Sequence, residues 1–295
     1  MEQVNTSSQP TTTNVPSISS SAMLVELNIS VWTGRKFDKG VSQEIDQAKQ
    51  TTTRAGNYSK KLFADEPKFE AITKMAGTIR TQHYYQTMPW SDSGLRLLTT
   101  PLFFEYNKKM TEGEAEFNRL VSEFMSDYDN MIARAHTKLG TLFNPEDYPT
   151  QDEVRSKYNF RLKYSPVPEV GDFRVDVGHE ALAQLNTSYA DYYQEQLNNA
   201  YKDVWTRTYD ALKAMSEKLA GDNKQIFRDT LVTNVTGIVD LLDKFNVTND
   251  DNMRKAKLKI SDALRGITPD ALREDDYLRH DTKRKVDDLL KEFTW

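Results

Sequence analysis

The stretch LVELNISVWTGRKFDKG, residues 24–40, decides whether this chain is all helical or mixed. Val25, Leu27, Ile29 and Val31 alternate with Glu26, Asn28 and Ser30, the period of a half-buried strand. An isolated strand is marginal in water, so the pattern commits the fold to a sheet and predicts strand partners elsewhere. Trp32-Thr33-Gly34-Arg35-Lys36 follows at once. It has two readings: a glycine and two cations delivered to a site, or a turn at the basic end of an edge strand.

The strand partners are expected downstream. Tyr158, Phe160, Leu162 and Tyr164 alternate with Asn159, Arg161 and Lys163, and after SPVPEVGD the alternation resumes at Phe173, Val175 and Val177. The two runs read as a hairpin or as two neighbouring strands with a Pro/Gly-rich turn, pairing with residues 24–31 in a small antiparallel sheet.

Between these β signals the chain reads as helix. SQEIDQAKQTTTRAG and EPKFEAITKMAGTIRTQHYYQ are shorter helices broken by Gly56, Pro67 and Gly77. TMPWSDSGLRLL, residues 87–98, is a loop punctuated by Pro89 and Gly94. From Phe103 one helix runs to Gly140, with Phe117, Leu120, Val121, Phe124, Tyr128, Ile132, Ala135 and Leu139 at three- and four-residue steps.

After Gly178 the helical pattern continues to the end of the sequence. Residues 180–219 carry a stripe of Leu182, Leu185, Tyr189, Tyr193, Leu197, Ala200, Val204, Ala211, Met215 and Leu219 without an internal Gly or Pro. At about 1.5 Å per residue such a helix is roughly 60 Å long, so it folds as an antiparallel hairpin or stands out as a coiled-coil arm. Gly221 ends it, and three shorter helices follow. The expected fold class is α+β, predominantly helical: a small antiparallel sheet with a long helical hairpin or coiled-coil arm. The expected domains are a disordered tail over 1–22, an α+β domain over 23–178 and a helical region over 179–295.

Composition narrows function. The chain has 295 residues, 38% hydrophobic and 28% charged, with a formal net charge of -5, which lacks the field of a DNA-coating protein. No apolar run approaches the roughly 20 residues of a membrane span, and no membrane partner is expected. Residues 1–22 have neither the basic end nor the apolar core of a signal peptide. Cysteine is absent, which excludes disulfides and thiolate metal sites.

Chemistry-bearing motifs are equally sparse. His83, His136, His179 and His280 are scattered, and Asp250-Asp251-Asn252 reads as a helix cap. No phosphate-binding glycine loop or serine-nucleophile motif occurs. WSDSG at 90–94 reads as a loop pinned by Trp90. No catalytic residue, metal or cofactor is therefore assigned.

Binding remains. Arg254, Lys255, Lys257, Lys259 and Arg265 crowd one short helix, Arg279, Lys283, Arg284 and Lys285 form a second basic cluster, and Tyr158, Phe160, Lys163 and Tyr164 lie on the expected sheet. Rings beside cations suit single-stranded nucleic acid. The same rings on one strand face also suit a core. Tyr192, Tyr201, Trp205 and Tyr209 crowd the long helix, more rings than one face of a monomer easily hides. They predict either a homo-oligomer, with this helix against its own copy or a partner, or a hairpin with the C-terminal helices.

LNISVWTGRK, MPWSDSGLRLL, FFEYNKKM with FMSDYD, and YNFRLKYSPVPEVGDFRVDV occur here in a recognisable order over residues 23–220. Together they resemble a family of phage and mobile-element proteins carrying the domain of unknown function three-one-five-zero. The loop departs from the glycine-rich version expected in relatives. The resemblance implies a non-enzymatic accessory protein encoded beside MoxR-type AAA ATPases, acting in the host cytoplasm. Its partner would be an AAA ATPase or a host-defence complex that it blocks. Under it Trp32, Arg35 and Lys36 are structural or partner-binding. A single-strand-binding protein and an enzyme with an unrecognised site stay open beside that reading.

Overall fold

The computed structural model describes residues 17–293, except 170, 174, 176 and 221–228. The chain is predominantly helical with a small antiparallel sheet, as its patterning predicts. The strands are β1 (Ala22–Ser30), β2 (Arg35–Phe37), β3 (Ser59–Lys61), β4 (Met88–Pro89), β5 (Arg96–Thr99) and β6 (Asn159–Pro166). The helices are α1 (Lys39–Ala48), α2 (Pro67–Tyr85), α3 (Phe103–Ser126), α4 (Tyr128–Leu139), α5 (Gln151–Arg155), α6 (His179–Leu219), α7 (Thr230–Phe245), α8 (Asp251–Ala263), α9 (Pro269–Glu274) and α10 (Asp276–Glu292). One sheet has the order β4-β5-β1-β6, and β2 with β3 forms a separate ribbon.

By contacts the described chain divides into two compact units, grouped otherwise than by a cut at residue 178. One joins the residues up to Val25, Gln86–Phe103 and the described residues from Tyr164 onward. The other joins Glu26–Tyr85 with Phe104–Lys163. The boundary falls inside β1 and β6, where a composition-based division finds no signal.

The first unit is built on α6. Ala190, Tyr193, Leu197, Ala200, Val204, Leu212, Met215 and Leu219 are buried at three- and four-residue spacing, so one stripe of the helix is core. That stripe packs on α7, α10 and β4. Of the two arrangements expected for the long helix, the hairpin with the C-terminal helices is the one present. The N-terminal turns differ from expectation: Leu185 is exposed and Leu182 half-buried. The last expected helix is two, α9 and α10, because Asp275 leaves helical geometry and caps α10 through the Leu278 N–H.

Two expectations fail here. Phe173, Val175 and Val177 are not in a strand; Val175 and Val177 are exposed, while Phe173 stacks edge-on against Tyr189, 5.8 Å away. A ring on the long helix, not a neighbouring strand, takes Phe173. The predicted loop at 87–98 instead contains a hairpin, with Met88 opposite Leu97 and β5 pairing antiparallel with β1 from Ala22–Thr99 to Val25–Arg96. Leu97, Leu98 and Met88 are fully buried there. Two strands of two and four residues are too short to show an alternation.

The tail reading over 1–22 also changes where the residues are described. Ile18 is fully buried, and its N–H donates to the Tyr193 hydroxyl at 3.1 Å. The Ser21 and Ala22 N–H groups turn back onto the Ile18 carbonyl, and Ser17 and Ser19 donate to Glu169. One isoleucine in a polar run is enough to dock this segment. Residues 1–16 lie outside the described residues.

The second unit has an aromatic centre. The Phe63 ring lies 5.5–5.8 Å from Trp32, Phe69, Phe124, Tyr128 and Tyr148. Offset and edge-on pairs of this kind add about 0.5–1.5 kcal/mol each beyond area burial. Gly77 does not break α2, and Pro67 starts it. The helix expected from Phe103 to Gly140 is interrupted at Asp127, whose carboxylate takes Lys68 at 3.0 Å, Asn130 at 3.0 Å and Arg134 at 3.1 Å.

Candidate interaction surface

Gly34 makes the opening stretch a turn, but not at the end of an edge strand: β1 is interior in its sheet, and Arg35 and Lys36 lie on β2. Gly34 has φ +57°, and an added Cβ would lie 2.5 Å from Phe69 Cζ. The glycine is therefore required by the turn and by the ring above it. Trp32 is half-buried, edge-on to Phe63 and Phe69, and belongs to the aromatic centre.

Arg35 and Lys36 are exposed on β2. In the ribbon Arg35 faces Lys61, Lys36 faces Lys60 and Phe37 faces Ser59. The Asp38 N–H donates to the Tyr58 carbonyl at 2.9 Å and the Leu62 N–H to the Gly34 carbonyl at 2.8 Å. Alternation along an antiparallel ladder then makes Lys36–Lys60 a hydrogen-bonded pair and Arg35–Lys61 and Phe37–Ser59 non-hydrogen-bonded pairs. Opposed residues share a face, so Arg35, Phe37, Ser59 and Lys61 lie together on one side. The Arg54 guanidinium joins them, 4.6 Å from the centre of the Phe37 ring, which is 41% exposed.

The other side is anchored. Lys60 is only 6% exposed and bridges Asp147 at 2.7 Å and Asp38 at 3.2 Å, with the Leu142 carbonyl accepting a third bond at 2.7 Å. Burial disfavours its charge, but the bonds to Asp147 and Asp38 outweigh that and raise its pKa. A second anchor is Glu66, equally enclosed, which accepts from Arg134 at 2.8 Å and Lys138 at 2.9 Å. The Arg134 hydrogen bond, opposed by burial and aided by Lys138, holds the Glu66 carboxyl below its usual range. These carboxylates serve as ion-pair partners.

Like charges directly opposed across a ladder destabilise it, most where side chains approach closest, in the non-hydrogen-bonded pairs. Asp38 and Asp147 compensate the Lys36–Lys60 pair. The Arg35–Lys61 pair has no such compensation: among the described residues no carboxylate lies within ion-pair distance of Arg35, Lys36, Arg54 or Lys61.

In the two basic clusters on the C-terminal helices every cation but Lys255 has a carboxylate within ion-pair distance among the described residues. Lys257 pairs with Asp243, Arg254 with Asp251, Lys259 with Glu292 and Arg265 with Asp262. Arg279 pairs with Asp276, Lys283 with Asp287, and Arg284 and Lys285 with Asp281. Of the rings expected to accompany them on the sheet, Tyr158 and Phe160 are half-buried and pack on Phe117, while Tyr164 is exposed and lies edge-on to Phe103.

The aromatic residues of α6 have partners within their own unit. The Tyr201 hydroxyl donates to Thr248 Oγ1 at 2.6 Å and accepts from the Thr248 N–H at 3.0 Å. Trp205 stacks on Phe293, and Lys213 lies over the Tyr209 ring. Tyr192 remains largely exposed beside Tyr189. The sequence singles out Arg35 and Lys36; the fold places Phe37, Arg54 and Lys61 beside Arg35 and puts Lys36 on the other side of the ribbon. The adjacent lysines of SKKLF, residues 59–63, were the available signal for Lys61.

No family model, no curated protein and no solved structure matches this chain.

Proposed function

We propose that the protein is a non-enzymatic interaction protein that engages an acidic partner protein through the outer face of the β2–β3 ribbon. The observation that carries this reading is the cluster of Arg35, Lys61 and Arg54 around an exposed Phe37, left without carboxylate partners among the described residues while the two basic clusters on the C-terminal helices are largely ion-paired. Rings and arginines dominate the energetic centres of protein interfaces, and an uncompensated positive patch steers an acidic partner to them.

The resemblance to the phage and mobile-element family supplies the context of this proposal: an AAA ATPase or a host-defence complex in the host cytoplasm as the machine engaged. Self-association is proposed for the exposed Tyr192 and Leu185 near the start of α6, where the helix leaves apolar side chains uncovered. The nucleic-acid reading, which rests on the basic clusters of the C-terminal helices and the rings of β6, is the alternative; the ion pairs of those clusters favour it less.

The test is co-purification from phage-infected cells with the natural chain and with the triple variant Arg35→Glu, Arg54→Glu, Lys61→Glu. A partner retained by the first and lost by the second, then titrated in purified form, supports the reading. Equal retention by both overturns it.

A further inference from the structure

The ribbon has a second property besides its charge. Because Lys36–Lys60 is the hydrogen-bonded pair, the N–H and C=O groups of Arg35 and Phe37 point away from β3, along the outer edge of β2. Among the described residues no backbone group bonds to them. The edge therefore carries two open donors and two open acceptors directly beside the cationic face. Proteins usually blunt such edges, and lysine on the edge is one device. Here the cations accompany a ring that is exposed, a feature that a merely blunted edge does not need.

The geometry points to β-strand addition: an extended acidic segment of the partner pairs with the edge of β2, and its alternate carboxylates meet Arg35, Lys61 and Arg54 across Phe37. This inference rests on the interaction reading above and names how the partner is held. Main-chain bonds to the edge supply affinity, and the alternating side chains supply specificity. The approaching carboxylates would also relieve the Arg35–Lys61 repulsion, so binding and ribbon stability are coupled. A phosphodiester chain offers the same negative charge but no backbone amide to meet the open carbonyls of Arg35 and Phe37. That asymmetry favours peptide.

The experiment is fluorescence anisotropy with a short labelled peptide alternating glutamate and valine. Three comparisons are made: the same peptide with alternate backbone nitrogens methylated, a labelled oligothymidylate, and the chain carrying Arg35→Gln with Lys61→Gln. Expected are saturable binding of the plain peptide, a loss of at least about tenfold on methylation, and a loss of at least about tenfold in the glutamine variant. Thermal melting of the variant checks that it is folded, since both side chains are exposed.

Methylation without effect would overturn strand addition and leave side-chain docking, so the interaction reading survives it. Undiminished peptide binding by the folded glutamine variant would overturn both. Binding of oligothymidylate with none of the peptide would overturn the inference in favour of a phosphodiester ligand.

Discussion

Ile18→Ala is the perturbation that separates a docked N-terminal segment from a solvated one. The side chain is 0% exposed, and the segment is held by the Ile18 N–H bond to Tyr193, by the turn at Ser21 and Ala22, and by the Thr100 N–H bond to the Ser21 carbonyl. Truncating a fully buried isoleucine to alanine costs about 2–5 kcal/mol. The segment precedes β1 and can detach locally, which caps the loss near the free energy of that opening. The expected cost is therefore at the low end, about 2–3 kcal/mol. For a chain unfolding as units of about 150 residues this lowers Tm by roughly 4–12 °C. Differential scanning calorimetry reads it, and Tyr193→Phe, which removes the hydroxyl that accepts from the Ile18 N–H, should cost about 0.5–1.5 kcal/mol. An Ile18→Ala variant melting within a degree of the parent would refute the docked segment and restore the reading of residues 17–22 as solvated.

Other expectations follow the same physics. Phe63→Ala should cost about 3–5 kcal/mol in chemical denaturation, because the ring it removes touches five others, whereas half-buried Trp32→Ala should cost about 1–3 kcal/mol. Gly34→Ala should destabilise by about 2–4 kcal/mol through its positive φ and the displaced Phe69 ring, while Gly77→Ala, in mid-helix with open space, should stabilise by about 0.5–1 kcal/mol. Glu66 and Asp127 have folded pKa values below their unfolded ones, Asp127 at about 2. Their contribution is complete above the unfolded carboxylate range and is lost as pH falls through the folded values, so stability should decline below about pH 4.5 toward pH 2. Arg134→Met should flatten that decline in an acid titration followed by circular dichroism. Light scattering should return twice the 34.0 kDa chain mass if the exposed start of α6 self-associates, and the chain mass itself would exclude it.

Long, strongly periodic segments were legible from the residues alone. Residues 180–219 read as helical because their stripe repeats at three and four residues without Gly or Pro, while their packing as a hairpin or an arm stayed open. The cap at Asp250 was readable for a local reason: its side chain accepts from Asn252 and Met253 N–H groups within the same turn. The strand at 24–30 declared itself through its alternation, and Trp32-Gly34-Arg35-Lys36 announced a turn of consequence.

Tertiary structure decided the rest. Whether Phe173–Val177 pairs as a strand depends on competition with Tyr189, a residue twelve or more positions away, and no local pattern records it. At the break the Asp127 carboxylate takes Lys68 from another helix beside its local partners Asn130 and Arg134. Above all, which cations are neutralised is a property of distance in space. The densest basic run in the sequence, residues 254–265, is largely ion-paired, while Arg35, Arg54 and Lys61, dispersed along the chain, converge without carboxylates on one face. Periodicity reports which side of an element is buried; only the fold brings charges from distant positions together or holds them apart.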